Sequence, residues 1–206
     1  MRTLSSIFAS TRSLAYVASL TLAGATSAPF AADAADISAL FGSRVHAASG
    51  APTRVWTGDF DGDGVPDVAY LVSIDSDAVG KTIAADVHVV NNAFGGKPLQ
   101  GRAAAHAIAI SLKRGAAKFL VVDSHGRPGD GMFDTPLWSN PAQSKSADDT
   151  PLRVAKHGDK SLAGYACHAS AKTRDMLMLM SEAGIEVALA WTGASFLQCV
   201  DPTAEP

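Results

Sequence analysis

The stretch Val55-Trp56-Thr57-Gly58-Asp59-Phe60-Asp61-Gly62-Asp63-Gly64-Val65-Pro66-Asp67-Val68-Ala69-Tyr70-Leu71-Val72 decides how the rest of the chain is read. Its ends are short runs of β-branched and aromatic residues, the composition of strands. Its middle carries four carboxylates, Asp59, Asp61, Asp63 and Asp67, in fixed register around Gly64. Ca²⁺ takes about six to eight hard oxygen ligands in flexible geometry. A tight loop offering carboxylates at its first, third, fifth and ninth positions supplies most of them, and here the Val65 carbonyl stands at the seventh. Gly64 occupies the sixth, where the chain turns sharply and a Cβ would obstruct it. Asp and Gly also dominate ordinary solvated turns, but such a turn has no reason to hold all four acids in register. The expectation is a strand–calcium loop–strand unit with Asp59, Asp61, Asp63, Asp67 and the Val65 carbonyl as ligands.

The flanks separate this loop from the helical calcium families. An EF-hand needs a helix on each side and a bidentate Glu at position 12, whereas position 12 here is Tyr70. The segment Trp56 to Val72, with its core Gly-Asp-Phe-Asp-Gly-Asp-Gly-x-x-Asp, resembles an FG-GAP/VCBS-type repeat. Such repeats occur in integrin-like propellers and in secreted bacterial proteins. The resemblance covers fewer than twenty residues and implies ligation by Asp59, Asp61, Asp63 and Asp67 with the Val65 carbonyl. The C-terminal stretch from Arg174-Asp175 through Ser181-Glu182-Ala183-Gly184 to Ala190-Trp191-Thr192-Gly193 resembles small uncharacterised bacterial envelope proteins bearing one such motif, and implies no activity.

A propeller requires about four to eight four-stranded blades. The chain has material for about three, so a closed propeller is not expected. A partial second copy, Asp130-Gly131-Met132-Phe133-Asp134, has Gly126 and Pro128 at the positions matching Asp59 and Asp61, which leaves its ligand set incomplete. The fold expected is mainly β: an antiparallel sheet or compact β-sandwich with one short N-terminal helix.

Arg2 and Arg12 lead into an apolar run from Leu14 to Ala25, followed by small residues through Ala35. That pattern is a secretory signal peptide over residues 1–34, with cleavage expected after Ala28, Ala32 or Ala34. The run falls short of the roughly 20 apolar residues of a membrane span, and no second apolar span follows. Residues 35–206 then form a single domain, periplasmic or extracellular. The formal net charge of −3 leaves no basic stripe for nucleic acid. In an oxidising compartment the only two cysteines, Cys167 and Cys199, are expected to pair; two buried thiols in neighbouring strands are the alternative.

Ile37, Leu40, Phe41 and Val45 recur at helical spacing over residues 36–48, before Ser49-Gly50-Ala51-Pro52 breaks the pattern. Strands are expected at 68–74, 85–90, 105–112, 117–122, 176–180, 186–191 and 196–200, with a hairpin turn at Lys113-Arg114-Gly115 and an antiparallel meander at the C-terminal end. Residues 138–150 read as a long polar loop. Met176, Met178 and Met180 alternate with Leu177 and Leu179, which makes their strand apolar on both faces and therefore central.

The six histidines share no zinc spacing. Asp123-Ser124-His125 holds the residue types of a hydrolytic triad, but triads assemble from distant segments. Glu182 and Glu186 flank a hairpin turn, and nothing places them in a cleft as glycosidase chemistry demands. The function expected is a non-catalytic, calcium-binding β domain that engages a protein or an envelope polymer. The alternative is a small secreted hydrolase using a His and an Asp from separate strands, for which His88, His106 or His125 would meet an acid in a pocket. Trp56, Trp138 and Trp191 are expected in the core.

Overall fold

The computed structural model describes residues 34–48, 55–75, 82–90, 106–122, 152–180 and 186–202. Helix α1 (Ala34–Phe41) is followed by β1 (Val45–Ala47), β2 (Val55–Gly58), β3 (Asp67–Ile74), β4 (Val87–Val90), β5 (His106–Ser111), β6 (Lys118–Val122), β7 (Leu152–Ala155), β8 (Met176–Met180), β9 (Glu186–Trp191) and β10 (Phe196–Cys199). The predicted signal segment up to residue 33, the partial motif at 130–134, His125, Trp138 and the polar stretch 138–150 lie outside the described residues.

The strands form two sheets. In the first the order is β1-β3-β5-β6-β4, and β2 shares with β1 the same long partner, β3. β1 runs along Val72–Ile74 and β2 along Asp67–Tyr70, so the two lie end to end on one edge. The second sheet is the expected antiparallel meander β8-β9-β10, extended by β7 beside β8. The architecture is mainly β, with neither barrel closure nor propeller among the described residues. One pairing departs from a purely antiparallel pattern: β4 runs parallel to β6.

Period-two alternation builds the layers. Ala69, Leu71, Ile108, Ile110, Phe119 and Val121 of the first sheet meet Leu177, Leu179, Val187, Leu189 and Phe196 of the second in one buried core. The intervening residues Val68, Tyr70, Val72, Ala107, Ala109 and Leu120 face outward, beneath Ile37 and Phe41 of α1. On the far face of the second sheet, Met176, Met178, Ala188 and Ala190 lie under Leu162, Tyr165 and Ala171. These three belong to a long excursion between β7 and β8 that contains short 3-10 turns at Lys160–Leu162 and Ser170–Lys172. Both sheets are thus covered on both faces, which is why their strands read as nearly continuous apolar runs. β8 is the central, doubly covered strand its composition predicts, with Met180 at its end about one-third exposed (36%).

One expectation is corrected and one is met. The helix does not continue over 36–48: it stops at Gly42, whose φ of +101° and N–H bond to Ser38 O make a left-handed terminus. Val45 is buried as expected, but as a strand residue opposite Ile74. Cys167 and Cys199 do form a disulfide, with Cα atoms 5.9 Å apart. Cys167 lies in the excursion and Cys199 at the end of β10, not in neighbouring strands. Trp56 and Trp191 are partly buried against the inter-sheet core.

Candidate metal centre

Antiparallel pairing of Gly58 with Asp67 closes β2 and β3 into a hairpin whose connection is the acidic loop. Asp59 organises it. Its Oδ1 accepts the N–H groups of Gly62 and Asp63, each at 2.9 Å, and its Oδ2 accepts that of Gly64 at 2.9 Å. Asp61 Oδ1 accepts from Asp63 N–H at 3.1 Å, and Asp63 Oδ1 accepts from Val65 N–H at 2.7 Å. These side-chain-to-backbone turns curl the chain so that carboxylates point inward. Gly62 and Gly64 adopt φ of +80° and +83°. The sharp turn expected at Gly64 is therefore present, and a second one stands at Gly62.

Asp67 is fully buried. Its Oδ2 accepts Phe60 N–H and its Oδ1 accepts Lys113 N–H, both at 2.9 Å, joining the loop to the turn between β5 and β6. Phe60, also buried, anchors the loop from the other side in the inter-sheet core. Burial pushes the Asp67 carboxyl up to about 6 against the pull of the two N–H donors, and the charge on Asp61 adds to the rise. Asp61 is likewise raised, first by burial and then by repulsion from Asp63 and Asp59, while the Asp63 N–H bond and the Arg174 charge oppose the shift.

Of the predicted ligands, Asp59, Asp61 and Asp67 are brought together, each with an oxygen within 4.8 Å of the others. Oxygens sharing one Ca²⁺ at roughly 2.3–2.6 Å stand no more than about 5 Å apart, so the spacing fits that ion. Asp63 lies outside this trio, but its Oδ2 is shut off from solvent with no hydrogen-bond donor. A buried carboxylate oxygen without a partner is costly, and a cation satisfies it. Val65 is exposed at the loop's tip.

The loop rests on the segment that opens β8, where Asp175, read in the sequence only with Arg174 as part of a resembling stretch, meets Lys156 and His157, which the sequence did not single out. Asp175, 5% exposed, accepts Asp59 N–H on Oδ2 at 3.0 Å and donates its own N–H to Asp59 O at 2.8 Å. Lys156 Nζ bonds the same carboxylate at 2.8 Å, and His157 approaches it through both backbone N–H and ring Nδ1. Burial alone would raise Asp175, yet these donors hold it below the usual carboxylate range. No spacing signal marks the group: a charged residue before an apolar strand is commonplace, and its partner segment is 19 residues away.

Gly62 is the tightest contact of this docking. A Cβ there would lie 2.7 Å from Arg174 Cγ and 3.0 Å from Thr173 O, whereas one on Gly64 would meet nothing. Gly62→Ala is therefore expected to destabilise by about 2–3 kcal/mol and Gly64→Ala by about 1 kcal/mol, read by urea unfolding. Equal losses at the two glycines would show that only left-handed strain matters and that the docking contributes nothing.

Of the histidines expected to meet an acid in a pocket, His88 and His106 lie among the described residues and His125 does not. His88 is exposed and stacks on Phe119 at 5.2 Å, and His106 opens β5 opposite Ser73. Comparison with known proteins returns no matching family model, no significant match among curated proteins and no significantly similar solved structure.

Proposed function

We propose that this chain is a non-catalytic, calcium-binding β-sandwich domain of the secretory route, in which the ion consolidates the β2–β3 loop and its docking on the second sheet. The observation that carries the reading is the convergence of Asp59, Asp61 and Asp67 oxygens within 4.8 Å, beside the sealed and partnerless Asp63 Oδ2. The resemblance to FG-GAP/VCBS loops supports the same ligand set, with the Val65 carbonyl added. The Cys167–Cys199 bridge and the charged, then apolar, N-terminal pattern support a periplasmic or extracellular location. A structural or adhesive role toward a protein or envelope polymer belongs to this proposal. The hydrolase alternative finds two close His/Asp pairs among the described residues. His46 Nε2 and Asp75 Oδ1 lie 3.1 Å apart, both side chains 47% exposed and in no enclosed cleft. His157 Nδ1 and Asp175 Oδ1 lie 3.2 Å apart, but that carboxylate already accepts from Asp59, Lys156 and His157, as a strut does.

Bound Ca²⁺ would supply charge neutralisation and cross-linking, while the protein orients the carboxylates through Asp59 and Asp67. Without a bidentate Glu at position 12, the affinity expected is in the extracellular range, a Kd of about 10⁻⁴–10⁻³ M. At about 10 mM Ca²⁺ this stabilises the fold by roughly 1–3 kcal/mol. The corresponding rise in melting temperature over an EDTA control is roughly 4–10 °C. The double variant Asp61→Ala, Asp63→Ala should lose that rise. Identical melting of wild type in EDTA and Ca²⁺ would remove the calcium reading.

A further inference from the structure

Asp175 holds the loop without belonging to the ligand set, and it holds something else as well. Lys156 and His157 leave β7, Asp175 enters β8, and the excursion between them covers the outer face of the second sheet. The ladder of β7 and β8 ends at the Ala155–Met176 pair, and one step beyond it the Asp175 carboxylate ties the two arms of the excursion's neck together. Its Oδ2 takes Lys156 Nζ together with Asp59 N–H, and its Oδ1 takes His157 N–H at 2.8 Å and ring Nδ1 at 3.2 Å. The Asp175 side chain is 4% exposed, which shields the carboxylate, while the Lys156 and His157 side chains reach it from solvent at 65% and 64% exposure. Just inside the neck, Gly158 N–H reaches Ala171 O at 2.8 Å. The loop touches the same place a second time, where Gly62 lies against Thr173 and Arg174. Arg174 in turn donates from Nη1 to Trp191 O at 2.8 Å.

We propose that Asp175 is a positioning residue that couples cation binding in the loop to closure of the 156–175 excursion. The inference rests on the calcium reading above. The bound cation fixes the backbone of Asp59; the reciprocal Asp59–Asp175 pair then fixes the carboxylate, and the carboxylate shuts the neck. With the cation removed, repulsion among Asp59, Asp61, Asp63 and Asp67 loosens Asp59 and the neck opens more often. Linkage makes the effect reciprocal, so a neck that cannot close binds the cation more weakly by the same factor. Partners that hold a ligand in place from outside commonly change metal affinity by roughly 10–100-fold when mutated.

The test is amide hydrogen exchange of the protein in EDTA and in Ca²⁺, with calcium binding followed in parallel by titration calorimetry. Calcium is expected to slow exchange at His157 and Gly158 by roughly 5–100-fold beyond any slowing in β4 and β6, which report global stabilisation. Asp175→Asn is expected to weaken calcium binding by roughly 10–100-fold and abolish the response at 157–158. Calcium that binds but slows exchange only within 59–67, or equally everywhere, overturns the coupling and leaves the calcium reading standing. Absence of binding overturns both. The wild-type comparison decides the matter even if Asp175→Asn does not fold.

Discussion

Replacing Asp67 by Asn is expected to destabilise the metal-free protein by about 2–4 kcal/mol near pH 4, to remove the stabilisation by calcium, and to flatten the dependence on pH. The side chain is fully buried and accepts one backbone N–H on each oxygen, from Phe60 and from Lys113. Asn keeps one acceptor and turns the other into an N–H that faces an N–H. One donor is left without a partner in a site water does not reach. The pH effect follows from the raised carboxyl, which shifts from 3.8 to about 6 on folding of the metal-free protein. A raised value means that the folded state binds this proton more tightly than the unfolded chain. Its contribution to stability is complete below 3.8 and is lost as the pH climbs through about 6. In EDTA, wild type should therefore lose stability across that window relative to Asp67→Asn. Calcium reverses the sense, because the ion requires the ionised carboxylate, and its stabilising effect should grow across the same window. Urea unfolding between about pH 4 and 7.5, with EDTA and with Ca²⁺, measures both slopes. Parallel curves for wild type and variant in EDTA would show that Asp67 ionises without penalty and that the buried-charge argument is wrong.

What the sequence disclosed, and what it concealed, follows from the range of the forces involved. The acidic loop was legible because its geometry is local: Asp59 caps N–H groups three, four and five residues on, and Gly64 takes the left-handed turn its position demands. The strands β8 and β9 were legible to the residue because both faces are buried and the apolar runs are uninterrupted. The end of α1 was not, since Val45 continues the helical period while the chain leaves the helix at Gly42 to pair with Ile74. β7 was concealed in Leu152-Arg153-Val154-Ala155, where the Arg is kept by a bidentate pair with Glu186, 33 residues away. The parallel register of β4 on β6 depends on where an intervening connection crosses, which no local pattern encodes. The same limit hid Asp175. Its significance lies in Asp59, 116 positions distant, and in Lys156, 19 positions distant, and composition carries no trace of those pairings.

Removal of the disulfide through the double variant Cys167→Ala, Cys199→Ala is expected to cost about 3–4 kcal/mol, as loop-closure entropy indicates for so long a ring. The sequence separation is 32 residues. For a domain of this size the melting temperature should fall by roughly 6–15 °C. The loss should not be spread evenly. Cys167 fastens the excursion to the end of β10, and beneath it lie Met176, Met178, Ala188 and Ala190. Without the bridge, the same cover is held to the sheet by Ala166 N–H on Val200 O at 3.2 Å and by the Tyr165 hydroxyl on Glu186 O at 3.1 Å. Such bonds, each contributing about 1 kcal/mol, do not keep a long segment closed against its own entropy. Trypsin should therefore cleave after the exposed Lys160 and Lys172 well before it reaches β6, while α1 and the first sheet persist. Cleavage that keeps pace at all sites would mean that the bridge acts on the whole fold at once. The two sheets would then behave as one cooperative unit, and the excursion would have no opening of its own for calcium to control.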